Sequence, residues 1–299
     1  MLKFDHGMDL VQEIGKITTA EAADQLLKEK LEPEQYERIR VFKNTAILLK
    51  VANSIVMCRP DKVFINTGSD QDKQFIRDMA LQKGDEDTLP MPNHTIHFDL
   101  KEEQGRIIDR RMGRQEGLET VDRIMGGIMS GKTMVVGFYS RGPAGSPVSN
   151  PAIEITSSAY VSHSAEILYR NTYHAFEGEV ARLGHFYTNI HSEGLNRPED
   201  LPNARVLMDR AHRTTYSFNC TYAGNTLLMK KGNHRFSVDR SVYEKRGIEL
   251  SEHMFITGIE NADGRITWIT GAAPSGCGKT TTAMAGDHFI GDDLAQMWI

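Results

Sequence analysis

The chain has 299 residues, enough to bury a core without disulfide or metal staples, and at roughly 150 residues per domain it has room for two domains. Hydrophobic residues make up 39% and charged residues 25%, a globular balance that excludes collagen-like and disordered chains. The net charge is −5, so a nucleic-acid binder, which is usually basic, ranks low.

No window approaches the roughly 18 apolar residues of a membrane span. The N-terminus, MLKFDHGMDLVQEIGK, lacks an apolar h-region and a cleavage signal, which points to the cytoplasm and away from a membrane. The three cysteines, Cys58, Cys220 and Cys277, are odd in number and widely spaced, which excludes a disulfide framework. Without CxxC or HxxxH spacing there is no zinc site.

Residues 1–45 read as polar and helical, with Thr18-Thr19-Ala20-Glu21 as a capping box opening EAADQLLKEKL. TAILLKV (45–51) and KVFINTG (62–68) read as short strands from their Val, Ile and Phe content. Residues 84–118, rich in charge, Gly and Pro, predict a long connection carrying a functional loop. TMVVGFYS (133–140) predicts a strand running into turn chemistry at Arg141–Pro147. IEITSSAYV follows, then a helix near 160–178, strands at 203–209 and 214–219, and a helix over 237–251. HMFITGIEN, RITWITG, APSGCGKTTTAMAG and HFIGDD then alternate in βαβ fashion. No internal repeat or low-complexity linker is present.

The segment Ile269–Thr281, ITGAAPSGCGKTT, carries the most chemistry. A strand enters a loop of small residues, and Gly-Lys-Thr then opens a helix. Gly276 and Gly278 let backbone N–H groups turn onto a phosphate, and the helix adds its positive N-terminal dipole. Lys279 reaches β- and γ-oxygens, and the Thr280 hydroxyl can hold a divalent metal. The first Gly of the GxxxxGK[ST] pattern is Ala273 here. Asp292 and Asp293 end the next strand, where a P-loop protein carries its metal-binding aspartate. Cys277, set among these N–H groups beside Lys279, predicts a reactive thiol.

APSGCGKT resembles the PSACGKT phosphate loop of GTP-dependent phosphoenolpyruvate carboxykinases. Four further blocks agree in order. GPAGSPVS (142–149) with IEIT (153–156) and Tyr160-Val161 is similar to GPxGSPxS…IELT…YV. YAGNTLLMKK (222–231) is similar to GYGGNSLLGKK, Glu252-His253-Met254 to AEHM, and GDDLA (291–295) to GDDIA. The resemblance runs from about residue 133 to 299, and the first 80 or so residues match nothing. It implies a mixed-sheet α/β N-terminal domain (1–247), followed by the start of a P-loop nucleotide-binding domain (248–299).

The site residues follow from the resemblance. By spacing alone Lys231 reads as a solvated charge and His253 as a structural histidine. The resemblance instead makes Lys231, His253 and Asp293 ligands of an active-site Mn²⁺. A Lys can serve only as the neutral amine, which burial beside a cation favours. Tyr222, Gly224, Asn225 and Ser275 would contact the oxaloacetate or phosphoenolpyruvate carboxylates. Arg106 resembles the family's substrate-binding Arg, with Arg110 and Arg111 as rivals, and a guanidinium can clamp a carboxylate. Ser275, Cys277, Lys279 and Lys231 would carry the catalysis. Gly276, Cys277, Gly278, Lys279, Thr280, Thr281 and Asp292 would bind the nucleotide, with Thr280 on its Mg²⁺ or Mn²⁺. Cys58, Cys220 and the remaining histidines, including His185 and His191, read as structural.

The implied reaction is the reversible conversion of oxaloacetate and GTP to phosphoenolpyruvate, CO₂ and GDP, as in gluconeogenesis. Ala223, Met229 and Thr281 depart from the family pattern and leave a pyrophosphate-using carboxykinase open. The phosphate loop by itself would equally serve a different P-loop small-molecule kinase, and an inactive truncated remnant would carry the same blocks. The family's enzymes are longer, so the chain is expected to be an N-terminal portion, lacking the C-terminal part and inactive alone.

Overall fold

The structure is a computed structural model that describes residues 7–83, 86–88, 95–97, 112–195, 197–220, 236, 249–252, 254–272, 278–291 and 295–298. Two compact units divide the chain, one within residues 4–232 and one within 233–299.

The first unit opens with α1 (Leu10–Gly15), α2 (Ala20–Lys30), α3 (Pro33–Ile39) and α4 (Thr45–Cys58). The cap of α2 is Thr19, whose hydroxyl accepts from the Ala22 N–H at 3.2 Å. That is one residue later than the Thr18 capping box places it, and Glu21 falls in the first turn, where the helix dipole favours a carboxylate. TAILLKV, expected as a strand, is the first half of α4. The Asn44 side chain accepts from the Ala46 and Ile47 N–H groups, and Arg59 ends the helix in the left-handed region. The misreading has a physical cause. Ten of the helix's fourteen residues are buried, so no polar stripe marks its period.

The chain continues through β1 (Lys62–Asn66), α5 (Asp70–Lys83), the antiparallel pair β2 (Glu86–Thr88) and β3 (Thr95–His97), and α6 (Arg114–Met125). The connection expected over 84–118 therefore contains two short strands and ends in a helix capped by Gly113; apart from Met112, its remaining residues lie outside those described. Next come β4 (Thr133–Arg141), β5 (Asn150–Thr156), α7 (Ala159–Leu168), β6 (Arg170–Asn171), α8 (Phe176–Leu183), β7 (Tyr187–Ser192), β8 (Arg205–Asp209) and β9 (Thr214–Phe218). The helix expected near 160–178 breaks because Arg170 and Asn171 pair with Ser140 and Tyr139 of β4. That pairing draws the chain out between α7 and α8.

Seven strands form one mixed sheet in the order β1-β4-β5-β7-β9-β8, with β6 also on β4. The β1/β4, β5/β7 and β7/β9 pairs are parallel, and β4/β5 and β8/β9 are antiparallel. On one face Val136, Phe138, Ile153, Ile155 and Ile190 join Val11, Ile47, Val51, Val121 and Met125 of α1, α4 and α6 in a single core. Phe138 meets Phe42 at 4.6 Å and Phe176 at 5.2 Å between ring centroids. On the other face Phe64 and Val135 pack with Ile76 of α5.

The second unit comprises β10 (Glu249–Glu252), β11 (Met254–Glu260), β12 (Ile266–Ala272), α9 (Lys279–Met284), β13 (His288–Gly291) and β14 (Ala295–Trp298). Of the helix expected over 237–251, residues 237–248 lie outside those described. Residues 249–252 are strand, because they pair antiparallel with β14 and tertiary pairing overrides local propensity.

Asn53, fully buried on α4, fastens the chain after α1. Its Nδ2 donates to the Ile17 and Leu49 carbonyls at 2.9 and 2.8 Å, and its Oδ1 accepts from the Ile17 N–H at 2.9 Å. Asn53→Leu keeps the volume but strands both Ile17 groups. It should lower the unfolding free energy by about 2–4 kcal/mol in urea denaturation. An unchanged midpoint would contradict the role given to this side chain.

Candidate functional site

In the second unit β11 is the middle strand, with β12 and β13 on either side and both antiparallel to it. The two outer strands therefore run parallel to each other, and α9 connects them. The hairpin joining β11 to β12 closes through Asn261 N–H to Arg265 O at 2.8 Å and Asn261 Nδ2 to Thr267 Oγ1 at 2.8 Å. The register sets Ala272 opposite Met254 and Gly291 opposite Ile256. The exits of β12 and β13 thus lie at one end of the sheet, where β11 begins.

Gly278 caps α9 with φ +90°, in the left-handed region open to glycine, and a Cβ there would meet no described residue within 4 Å. Its carbonyl accepts from the Thr282 N–H at 2.9 Å and the Thr282 hydroxyl at 3.0 Å, so the first turn of α9 is closed. Lys279 is the first helical residue and Thr280 the second, with Thr281 after them. The return into β13 passes close over β11. A Cβ on Gly286 would sit 2.1 Å from Thr257 Oγ1, so a larger residue there requires Thr257 or the return itself to shift.

Backbone N–H groups, an ammonium and a hydroxyl at a helix start are groups that could hold a phosphate with its divalent cation. Among the described residues, no three His, Cys, Asp or Glu side chains converge as a metal site. Gly278, Lys279, Thr280 and Thr281 are the expected site residues that the structure places. Arg106 with its rivals Arg110 and Arg111, Tyr222, Gly224, Asn225, Lys231, His253, Ser275, Gly276, Cys277, Asp292 and Asp293 lie outside the described residues.

In the first unit, the sheet face opposite the main core is polar at its centre yet buried. Gly137, Glu154, Asn189 and Thr215 are register neighbours across four strands. Asn189 Nδ2 donates to Glu154 Oε2 at 3.0 Å. Glu154 Oε1, Asn189 Oδ1 and Thr215 Oγ1 are buried with no hydrogen-bond partner among the described residues. Burial pushes the Glu154 carboxyl well above the usual carboxylate range and holds it as the neutral acid.

The next row is Thr156, His191 and Ser217. Thr156 Oγ1 lies 2.8 Å from His191 Nδ1, and His191 Nε2 lies 2.9 Å from the Cys220 carbonyl. Burial pushes the His191 imidazole down to about 4, so it is neutral at physiological pH. Sequence reading treats His191 as structural and passes over Glu154 and Asn189. The available signal was polar alternation in IEIT and TNIHS, which normally marks a solvated face. Cys58 and Cys220 are buried, and burial raises both thiols, Cys58 to about 12. That suits the structural role expected of them.

The phosphoenolpyruvate carboxykinase N-terminal domain matches residues 50–112 and 107–242, and the carboxykinase C-terminal P-loop domain of the GTP type matches 249–299. The chain belongs to the phosphoenolpyruvate carboxykinase family. A relative from Thermococcus sibiricus named phosphoenolpyruvate carboxykinase [GTP] is 38% identical over 288 residues, covering 90% of this chain and 46% of that protein. One of the same name from Saccharolobus solfataricus is 40% identical over 266 residues, covering 84% of this chain and 42% of the relative. The cytosolic [GTP] carboxykinase of Bos taurus is 30% identical over 300 residues, covering 83% of this chain and 46% of the relative. The chain therefore spans under half the length of these carboxykinases. The N-terminal family domain covers the seven-stranded sheet from β1 onward, and the P-loop domain covers α9 and the strands around it.

The buried acid in this carboxykinase sheet has a pH signature. An acid whose folded pKa is raised contributes stability in full below the ordinary value of 4.5, and that contribution is lost as pH rises toward the folded pKa. Glu154→Gln, which has no proton to lose, should match the wild type near pH 4.5 and gain thermal stability over it progressively as the pH rises above that value. Parallel Tm-against-pH curves for the two proteins would contradict the neutral acid.

Proposed function

We propose that this chain is the N-terminal part of a GTP-dependent phosphoenolpyruvate carboxykinase. The enzyme would decarboxylate oxaloacetate and phosphorylate the product to phosphoenolpyruvate. The observation that carries the reading is Gly278-Lys279-Thr280 opening α9 between two strands that leave the sheet at one end, in a chain that matches both carboxykinase domains in order. Met254, Ala272 and Gly291 lie at that end. They are the described chain neighbours of His253, of the loop 273–277 and of Asp292-Asp293.

Loss of CO₂ from oxaloacetate leaves an enolate. Its oxygen attacks the γ-phosphorus of GTP, in line with the departing GDP, and so forms phosphoenolpyruvate. Lys279 offsets charge on the β- and γ-oxygens during the transfer, while the N–H groups at the start of α9 orient the phosphates. Arg106, Tyr222, Gly224, Asn225 and Ser275 hold the substrate carboxylates against the phosphate, with Gly276, Cys277 and Thr281 around the nucleotide. Lys231, His253 and Asp293 would hold Mn²⁺, and Thr280 with Asp292 the nucleotide's Mg²⁺ or Mn²⁺. When bound, these metals supply positive charge opposite the enolate and the phosphates.

We propose a domain boundary at residue 247, a reading supported by family matches that end at 242 and resume at 249. Trp268, Phe289 and Ile290 are more than half exposed on the β12–β11–β13 sheet. Further C-terminal chain of the same enzyme would cover them, consistent with the 46% of the Thermococcus sibiricus relative that this chain spans. A cytoplasmic location is supported by the name of the bovine relative. Among the described residues, no helix is long and apolar enough to cross a membrane.

Lys279→Ala in the full-length protein should lower phosphoenolpyruvate formation from oxaloacetate, Mn²⁺ and GTP by about 100-fold or more, at unchanged Tm. Near-normal turnover would overturn the phosphate-loop assignment.

A further inference from the structure

The bonds around His191 fix its tautomer. The Cys220 carbonyl can only accept, so Nε2 carries the proton and donates to it at 2.9 Å. Nδ1 is then the bare nitrogen and accepts from the Thr156 hydroxyl at 2.8 Å. Thr156 Oγ1 in turn accepts from the Ser158 N–H at 3.0 Å. A directed chain of donors thus runs from the end of β5, through β7, to the backbone of Cys220.

Cys220 sits at a corner where the chain leaves β9. Asn219 before it is left-handed with φ +54°, and its N–H donates to the Ser192 carbonyl at 2.9 Å. The corner is therefore held twice by consecutive residues of β7, once by the Ser192 backbone and once by the His191 side chain. Neighbouring polar groups lock the same strand ends: Ser157 Oγ and Ser192 Oγ are 2.9 Å apart. Tyr222 follows Cys220 by two residues.

We infer that His191 is a positioning residue for the substrate carboxylates: by fixing the Cys220 carbonyl it sets where the backbone enters the Tyr222–Asn225 segment. The inference rests on the proposed carboxykinase reading, in which that segment contacts oxaloacetate. A neutral imidazole suits the task, because burial disfavours a charged ring and the tether is unchanged across the physiological range. His191 touches neither substrate nor nucleotide in this scheme and acts through the backbone alone.

The test uses the full-length protein with Mn²⁺ and compares His191→Leu with His191→Gln. Leucine removes the donor to Cys220, and the glutamine amide restores one near the Nε2 position. His191→Leu should raise KM for oxaloacetate about tenfold and leave KM for GTP within about twofold, and His191→Gln should recover most of the loss. In wild-type protein labelled with ¹⁵N-histidine, the His191 signals should report an Nε2–H tautomer. Phosphoenolpyruvate should shift them and GDP should not. Equal changes in both KM values, an unchanged KM for oxaloacetate in folded His191→Leu, an Nδ1–H tautomer, or no shift with phosphoenolpyruvate would each overturn the inference. If His191→Leu does not fold, the wild-type spectra decide. Wild-type protein that forms no phosphoenolpyruvate would overturn the carboxykinase reading itself, a result distinct from an active enzyme indifferent to residue 191.

Discussion

The placement of β11 between β12 and β13, antiparallel to both, is the constraint on which the proposed phosphate site depends. A strand entering the sheet and two strands leaving it share one end for no other reason. The Gly-Lys-Thr turn is a common tripeptide and by itself holds nothing. In the proposed reading it becomes a site because the antiparallel pairing of β11 with each neighbour fixes the exit of β12 and the exit of β13 relative to the start of β11. Gly286 belongs to the same constraint, since a larger residue would have to displace the Thr257 side chain or shift the return from α9.

The seven-stranded sheet solves a different problem. Its main core is ordinary, with Phe138, Ile153 and Ile190 facing the helices. Its other face buries Glu154, Asn189, Thr156 and His191. Burying unpaired polar atoms costs on the order of 1–3 kcal/mol each, so this face would be destabilising if stability alone shaped it. The Thr156–His191–Cys220 chain of bonds indicates what the polarity supports. It converts the rigidity of two parallel strands into a fixed backbone position at the corner after β9.

Part of this was legible in the sequence. Strand β12, the Gly278 turn, α9 and β13 follow from RITWITG, GKT and HFIG because glycines and β-branched runs punctuate them sharply. The family was legible for a similar reason: APSGCGKT, GPAGSPVS and GDDLA join unusual residues in a fixed order. Helix α4 was not legible, because burial on nearly every side erased its period and left TAILLKV looking like a strand. Residues 249–252 read as helix because local propensity cannot anticipate pairing with Ala295–Trp298. His191 reads as structural in the sequence, and a buried ring with both nitrogens hydrogen-bonded agrees with that; what no spacing rule records is its partner 29 residues away.

Assay of the full-length protein for phosphoenolpyruvate formation from oxaloacetate with Mn²⁺, offering GTP, ATP and pyrophosphate in separate reactions, tests the central claim most directly. Product should form with GTP and not with pyrophosphate. Product with pyrophosphate alone would contradict the assigned donor, and no product with any donor from folded protein would contradict the carboxykinase reading.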